Sequence, residues 1–123
     1  MTVEHALIAA RAASSKTMED TVVLDVGEII GITDHFVVTS GRNDRQVRAI
    51  VDEVTAKVRA AGGGSVRQSE GLEAATWVLL DFGDFVVHVF DAEARNYYGL
   101  ERLWGDAPRV DWHDEFAALR ANS

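Results

Sequence analysis

The sequence contains no cysteine and only one proline in 123 residues. Without cysteine there is no disulfide, no thiolate nucleophile and no cysteine-ligated zinc, so any metal would have to sit on histidine and carboxylate ligands. No segment approaches the ~18 consecutive apolar residues of a membrane span, and the N-terminus lacks the basic, apolar and small-residue order of a signal peptide. We therefore expect a cytoplasmic protein without a membrane partner.

Basic residues are also scarce, with 12 Lys and Arg against 20 Asp and Glu, for a net charge of −8. This balance disfavours the capture of phosphate backbones, so we expect little or no direct nucleic-acid binding. The charge is uneven: residues 69–115 hold eleven acids and three bases, which accounts for the whole net charge. An acidic segment of this kind indicates either a basic partner or a solubilising surface.

The length and the 47% content of hydrophobic residues suit one domain with one core. Neither a repeat nor a linker interrupts the chain, and the hydrophobic patterns predict helices and strands in mixed order. The predicted helices cover 3–15, the segment between an Asn43 cap and a Gly62 stop, and 92–104. The predicted strands cover 21–26, 36–40, 65–68, 76–82 and 85–90. The expected fold is α/β: a single domain (1–110) with a mixed five-stranded sheet packed with helices.

A short helical tail is expected at 111–123, where Trp112, Phe116 and Leu119 fall along one side. This tail is predicted to dock either on the body of the domain or on a second copy of the chain, so a homodimer is among the expected partners.

The two strands at 76–82 and 85–90 are joined by Gly83-Asp84, which predicts a hairpin and fixes which side chains share a face. One face is apolar and should belong to the core: Val78, Leu80, Phe82, Phe85, Val87 and Val89. The other face, here called the hairpin outer face, mixes aromatic, acidic and imidazole side chains: Trp77, Leu79, Asp81, Val86, His88 and Phe90. It is either covered by the protein's own helix, with Asp81 and His88 hydrogen-bonded, or it is a binding platform that Tyr98 and Glu101 extend.

Two alternatives with chemistry remain open. Asp81 and His88, with Glu70, would serve a metal-dependent nucleotidyl- or phosphotransferase, and Ser40-Gly41, between a strand and a helix, would serve a nucleotide-binding domain. The second carboxylate that such a metal enzyme needs is missing. We therefore expect no catalytic residue, no metal site and no cofactor.

Several segments together resemble the Iojap family, the ribosomal silencing factors (RsfS). They are the segments 31–41, 45–47, 70–71 and 77–90, with Arg95, Tyr98, Leu100, Glu101, Leu103 and Trp104. The resemblance runs from about residue 20 to residue 110, and the block W-V-L-L-D-x-G-D-x-V-V-H is its most specific part.

The resemblance implies a fold similar to the nucleotidyltransferase domain but non-catalytic. It further implies binding to the large ribosomal subunit through ribosomal protein fourteen (uL type), a steric block to joining of the small subunit, and repression of translation under nutrient limitation.

On this basis the predicted partner-binding residues are Trp77, Leu79, Asp81, His88, Phe90, Tyr98 and Glu101. In this prediction Trp77, Leu79 and Phe90 form the desolvated centre of the contact. Asp81 and Glu101 pair with basic side chains of the partner, Tyr98 adds an aromatic edge, and His88 orients Asp81.

Overall fold

The computed structural model describes residues 2–98 and 107–113. The helices in this part are α1 (Thr2–Ser14), α2 (Gly27–Ile30), α3 (Asp44–Ala60) and α4 (Ala92–Tyr98). The strands are β1 (Val22–Asp25), β2 (His35–Gly41), β3 (Gln68–Glu70), β4 (Trp77–Asp81), β5 (Phe85–Asp91) and β6 (Arg109–Val110).

The six strands form one mixed sheet in the order β3-β4-β5-β2-β1-β6. The central strands β2 and β5 are parallel, and every other neighbouring pair is antiparallel. All seven residues of β2 are buried, as expected for a central strand covered on both sides. The β4–β5 hairpin therefore lies directly beside the centre of the sheet.

Helices α1 and α3 pack against each other and cover one face of this sheet. Helix α3 contributes an apolar stripe at helical spacing, and α1 contributes mostly alanines, whose small side chains allow close approach. The stripe on α3 consists of Val47, Ile50, Val51, Val54 and Val58. This packing forms the main core.

The opposite face carries a second, smaller core. It is closed by Ala94 of α4 and by Ala107, which lie over buried side chains of β1, β2 and β5. Those side chains are Val22, Leu24, Phe36, Val38 and Phe90. The outer hairpin strand β4 lies beside this core, and its Trp77 is only partly buried.

The predicted single α/β domain with a mixed sheet is confirmed, but the sheet has six strands rather than five within residues 2–98 and 107–113. The sixth is β6, a two-residue strand paired with β1. The predicted edge strand at 65–68 was placed too early, because the pairing with β4 involves Gln68–Glu70. The one-turn helix α2 was not predicted.

Of the predicted tail, the structure describes residues 111–113, and Trp112 in this piece contacts the body of the domain. Trp112 packs against the main core, and its Nε1–H donates to the carbonyl oxygen of Thr21 over 2.8 Å. Phe116 and Leu119 lie outside the described residues. The separate tail, the homodimer and the likeness to nucleotidyltransferases stay predictions.

Candidate functional site

The β4–β5 hairpin separates its side chains into two faces as its sequence predicts. Its apolar face belongs to the main core, including Val78, Leu80, Val87 and Val89. The hairpin outer face is arranged in three cross-strand pairs: Trp77 with Phe90, Leu79 with His88, and Asp81 with Val86. Phe90 and His88 on β5 are buried, whereas Val86 and the three β4 residues are only partly buried.

Trp77 is held in place by two contacts on this face. Its ring stacks on Phe90, with the centroids 5.0 Å apart, and its Nε1–H donates to His88 Nδ1 over 3.1 Å. Phe90 is itself fully buried in the second core. The expectation that Phe90 contacts the partner directly is therefore corrected. Phe90 is buried and packs against the ring of Trp77.

The expected pairing of His88 with Asp81 is also corrected. His88 accepts from Trp77 at Nδ1, so the proton of the neutral ring is on Nε2. Asp81 Oδ1 instead accepts the backbone N–H of Gly83 over 2.7 Å and shapes the hairpin turn. Burial lowers the pKa of His88 to about 4, so its imidazole is neutral near pH 7.

The two remaining predicted contact residues belong to the chain beyond β5. Tyr98 is the last residue of α4, which begins directly after β5, but its side chain is not among the described ones. Glu101 lies outside the described residues.

A groove of about 440 Å³, here called the hairpin groove, opens beside the outer face. Its apolar walls come from both the hairpin and the segment that follows β1: Ile30, Ile32, Phe36, Leu79 and Val86. Its polar lining consists of Thr33, Arg67, Asp81 and His88, together with the backbone of Gly83.

The wall formed by α2 and its loop is tied to the hairpin turn. The Asp34 N–H donates to the Asp84 carbonyl oxygen over 2.8 Å, and the Thr33 hydroxyl donates to the Gly83 carbonyl oxygen over 3.2 Å. Ile32 stands at the rim of the groove with 86% of its surface exposed. Sequence reasoning missed Ile30, Ile32 and Arg67, although a run of isoleucines between Gly27 and Asp34 was a signal that an apolar loop exists there.

The Ser40-Gly41 turn, the site of the nucleotide-binding alternative, is occupied by the protein's own groups. The Ser40 hydroxyl accepts from Arg95, and the Arg42 N–H donates to Gln46 Oε1 over 2.7 Å. A Cβ on Gly41 would lie 2.9 Å from the backbone nitrogen of Val47, so glycine is needed here for close packing of strand against helix. These contacts favour a structural turn over a phosphate cradle.

The metal-enzyme alternative finds little support in the geometry. Glu70 pairs across the sheet with Leu79, which separates it from His88 on the same row. Among residues 2–98 and 107–113, no group of three or more histidine or carboxylate side chains could hold a metal ion. In the same part of the chain, no helix is long and apolar enough to cross a membrane.

Comparison with known proteins gives a consistent result. Residues 2–123 match the family model described as RsfS, "Ribosomal silencing factor during starvation". The ribosomal silencing factor RsfS of Bacillus subtilis (strain 168) is 47% identical over 105 residues, which cover 85% of this chain and 87% of that protein.

One solved structure and one mouse protein are also similar to this chain. A crystal structure of a Chromobacterium violaceum protein superposes with a TM-score of 0.80 at 35% identity, covering 85% of this chain and 87% of that one. A Mus musculus protein named "Mitochondrial assembly of ribosomal large subunit protein 1" is 32% identical over 87 residues, 69% of this chain and 38% of its own length. Since the family model spans nearly the whole chain and relatives share its sequence and fold, the chain belongs to the ribosomal silencing factor (RsfS) family.

Proposed function

We propose that this chain acts in the cytoplasm by binding the large ribosomal subunit through ribosomal protein fourteen (uL type). Bound there, it blocks joining of the small subunit and represses translation under nutrient limitation. The name of the family supports a regulatory rather than an enzymatic role, and the name of the Mus musculus relative supports the large subunit as the partner.

The observation that carries the proposal is the fixed position of Trp77. This side chain is partly buried, stacked on Phe90 and hydrogen-bonded to His88, so its conformation is set before any partner arrives. An aromatic anchor that is already ordered loses little conformational entropy on binding, and such residues dominate the energy of many interfaces.

The residues around Trp77 take two kinds of role in this proposal. Leu79 and Asp81 are partly exposed on the same strand and contact the partner directly. Phe90 and His88 act through Trp77, because both are buried. Tyr98 and Glu101 remain proposed contacts of the partner.

Charge complements this apolar centre. Residues 69–115 carry the whole net charge of −8 and include β4, β5 and α4. Ribosomal proteins are mostly basic, so this half of the chain is attracted to a ribosomal protein and repelled by exposed ribosomal RNA.

Measured binding to isolated large subunits tests the proposal. Truncation of the anchor in Trp77→Ala should weaken binding roughly thirtyfold, about 2 kcal/mol. Asp81→Asn keeps the acceptor that holds Gly83 but removes the charge, so its smaller loss should fade as salt rises.

Matched controls separate the interface from folding. Leu72→Ala removes an exposed apolar side chain outside the hairpin outer face, and Asp52→Asn removes an exposed acid of α3, outside the acidic segment 69–115. Both should bind like the wild type. If Trp77→Ala is folded, as shown by circular dichroism and its unfolding midpoint, and still binds like the wild type, the proposed anchor is wrong.

A further inference from the structure

The hairpin groove brings two opposite charges together at one end of an apolar surface. The Arg67 N–H donates to the Asp81 carbonyl oxygen over 2.8 Å, so Arg67, directly before β3, lies beside the last residue of β4. Both side chains also meet at the same glycine: Asp81 Oδ1 accepts from the Gly83 N–H, and a Cβ on Gly83 would lie 2.9 Å from Arg67 Nη1.

These two charged groups do not neutralise each other. Within residues 2–98 and 107–113, the Arg67 guanidinium makes neither a hydrogen bond nor an ion pair, and Asp81 Oδ2 has no hydrogen-bond partner. A cation and an anion that line one groove without pairing can each bind the opposite charge of a ligand.

A third polar group lies deeper in the groove wall. His88 is 4% exposed, and its Nε2 is buried without a hydrogen-bond partner among the described residues. Because Nδ1 is taken by Trp77, Nε2 carries the proton and is a donor. This donor has no accessible surface, so His88 contributes its ring to the groove wall and leaves recognition of charge to Arg67 and Asp81.

The rest of the surface is aliphatic and aromatic, provided by Ile30, Ile32, Phe36, Leu79 and Val86. A volume of about 440 Å³ falls in the usual range of small-molecule sites. The ligand that matches this lining carries one positive charge, one negative charge and an apolar branch.

We propose that the hairpin groove binds a free α-amino acid with an aliphatic side chain. Arg67 holds the carboxylate, Asp81 holds the ammonium group, and the isoleucines with Leu79 and Val86 enclose the side chain. This site goes beyond the proposed ribosomal function, and it is tested on the free protein without any ribosome.

Titration of the full chain with L-leucine, followed by two-dimensional ¹H–¹⁵N NMR, is the test. Saturable shifts should appear at groove residues and at the Trp77 indole N–H, with a Kd of about 1 mM. Two analogues each lack one charge: 4-methylpentanoate lacks the ammonium group, and 3-methylbutylamine lacks the carboxylate. Each should bind at least about tenfold more weakly than leucine.

Variants assign each charge to its partner. Arg67→Gln should weaken leucine and 4-methylpentanoate by about tenfold and leave 3-methylbutylamine unchanged, whereas Asp81→Asn should weaken leucine and the amine alone. The controls Arg59→Gln and Asp84→Asn remove exposed charges outside the groove and should bind leucine like the wild type.

Three results would overturn the proposal. The first is the absence of saturable groove shifts with leucine at about 20 mM, roughly twenty times the expected Kd. The second is equal binding of leucine and its two analogues, which would mean apolar occupancy without recognition of charge. The third is equal loss in the groove variants and in their controls.

Discussion

His88 is the residue on which the candidate site most depends. It is the middle residue of β5 on the hairpin outer face and is buried. Its ring accepts the indole N–H of Trp77 and contacts Phe36 edge to face, with ring centroids 4.5 Å apart. A protonated ring could not accept at Nδ1, so charging His88 would release Trp77. The neutral imidazole is thus part of what fixes the anchor.

Stability should respond to pH through this histidine. Its pKa is about 4 in the folded protein and near 6.5 when unfolded, so the unfolded state takes up a proton first as pH falls. Above pH 6.5 the group has no effect. Between pH 6.5 and pH 4 it should lower the free energy of unfolding by a total of about 3 kcal/mol.

Urea unfolding of the wild type and of His88→Gln at several pH values checks this prediction. Glutamine retains an acceptor for Trp77 but does not titrate, so the variant should lose less stability than the wild type between pH 7 and pH 4. His5→Gln changes a histidine of α1, on the other side of the sheet from His88, and is the control. His35 is buried as well, and desolvation lowers its pKa although the nearby charges of Asp25 and Asp34 raise it. Because His35 is present in all three proteins, it does not affect the differences between their pH profiles. Parallel pH profiles for the wild type and His88→Gln would contradict the assignment.

Sequence reasoning placed Trp77, Asp81 and His88 on one face but chose the wrong partner for His88. In the hairpin register Leu79 is opposite His88, and Trp77 and Asp81 are its two diagonal neighbours. The long indole reaches across this diagonal, whereas the short Asp81 side chain is held by the turn amide of Gly83. Which neighbour His88 bonds depends on side-chain length and on competing hydrogen-bond partners. The spacing of residues in the sequence gives neither.

Among the secondary-structure elements, the long and strongly periodic ones were predictable. Helix α3 has apolar residues at steps of three and four, and its N-cap is Asn43, whose side chain accepts the N–H of Gln46 over 2.9 Å. The hairpin register follows from its two-residue turn. In both cases the signal is local, so one segment of sequence suffices.

The short elements were not predictable in the same way. Strand β6 has two residues and α2 has four, so neither is long enough to show a periodic pattern, and β6 is stabilised by contacts with distant parts of the chain. For β6 these contacts are with Val23 and Leu24, about 85 residues earlier in the chain. The position of β3 likewise depends on pairing with β4.

Gly71, the first residue after β3, has a backbone conformation and a close neighbour that only glycine accommodates well. Gly71 has φ +83°, and a Cβ there would lie 2.0 Å from the carbonyl oxygen of Trp77. Gly71→Ala combines a left-handed conformation with a backbone clash and should lower the free energy of unfolding by more than about 2 kcal/mol.

Gly62→Ala is the matched control, because Gly62 has φ +85° but no atom within 4 Å of an added Cβ. It should cost only the conformational part, about 1 kcal/mol. Chemical denaturation measures both values. Equal losses in the two variants would mean that the approach of the Trp77 carbonyl does not matter.

At the scale of the whole molecule, the sheet has two unequal sides. One is covered by α1 and α3; within residues 2–98 and 107–113, the other is covered by α4 and Ala107, next to the hairpin groove. The groove itself could not be read from sequence, because Ile32, Arg67 and Asp81 come from three separate segments. The acidic balance of residues 69–115, by contrast, was visible in composition and places charge on the same half of the chain as Trp77.

The central claim is that the chain occupies the surface of the large subunit that the small subunit needs. Co-sedimentation of the full chain with isolated large subunits and with assembled ribosomes, over a series of salt concentrations, tests it most directly. The account predicts binding to isolated large subunits, weakening as salt screens the acidic face, and no binding to assembled ribosomes. Equal binding to assembled ribosomes, or none to isolated large subunits, would contradict it.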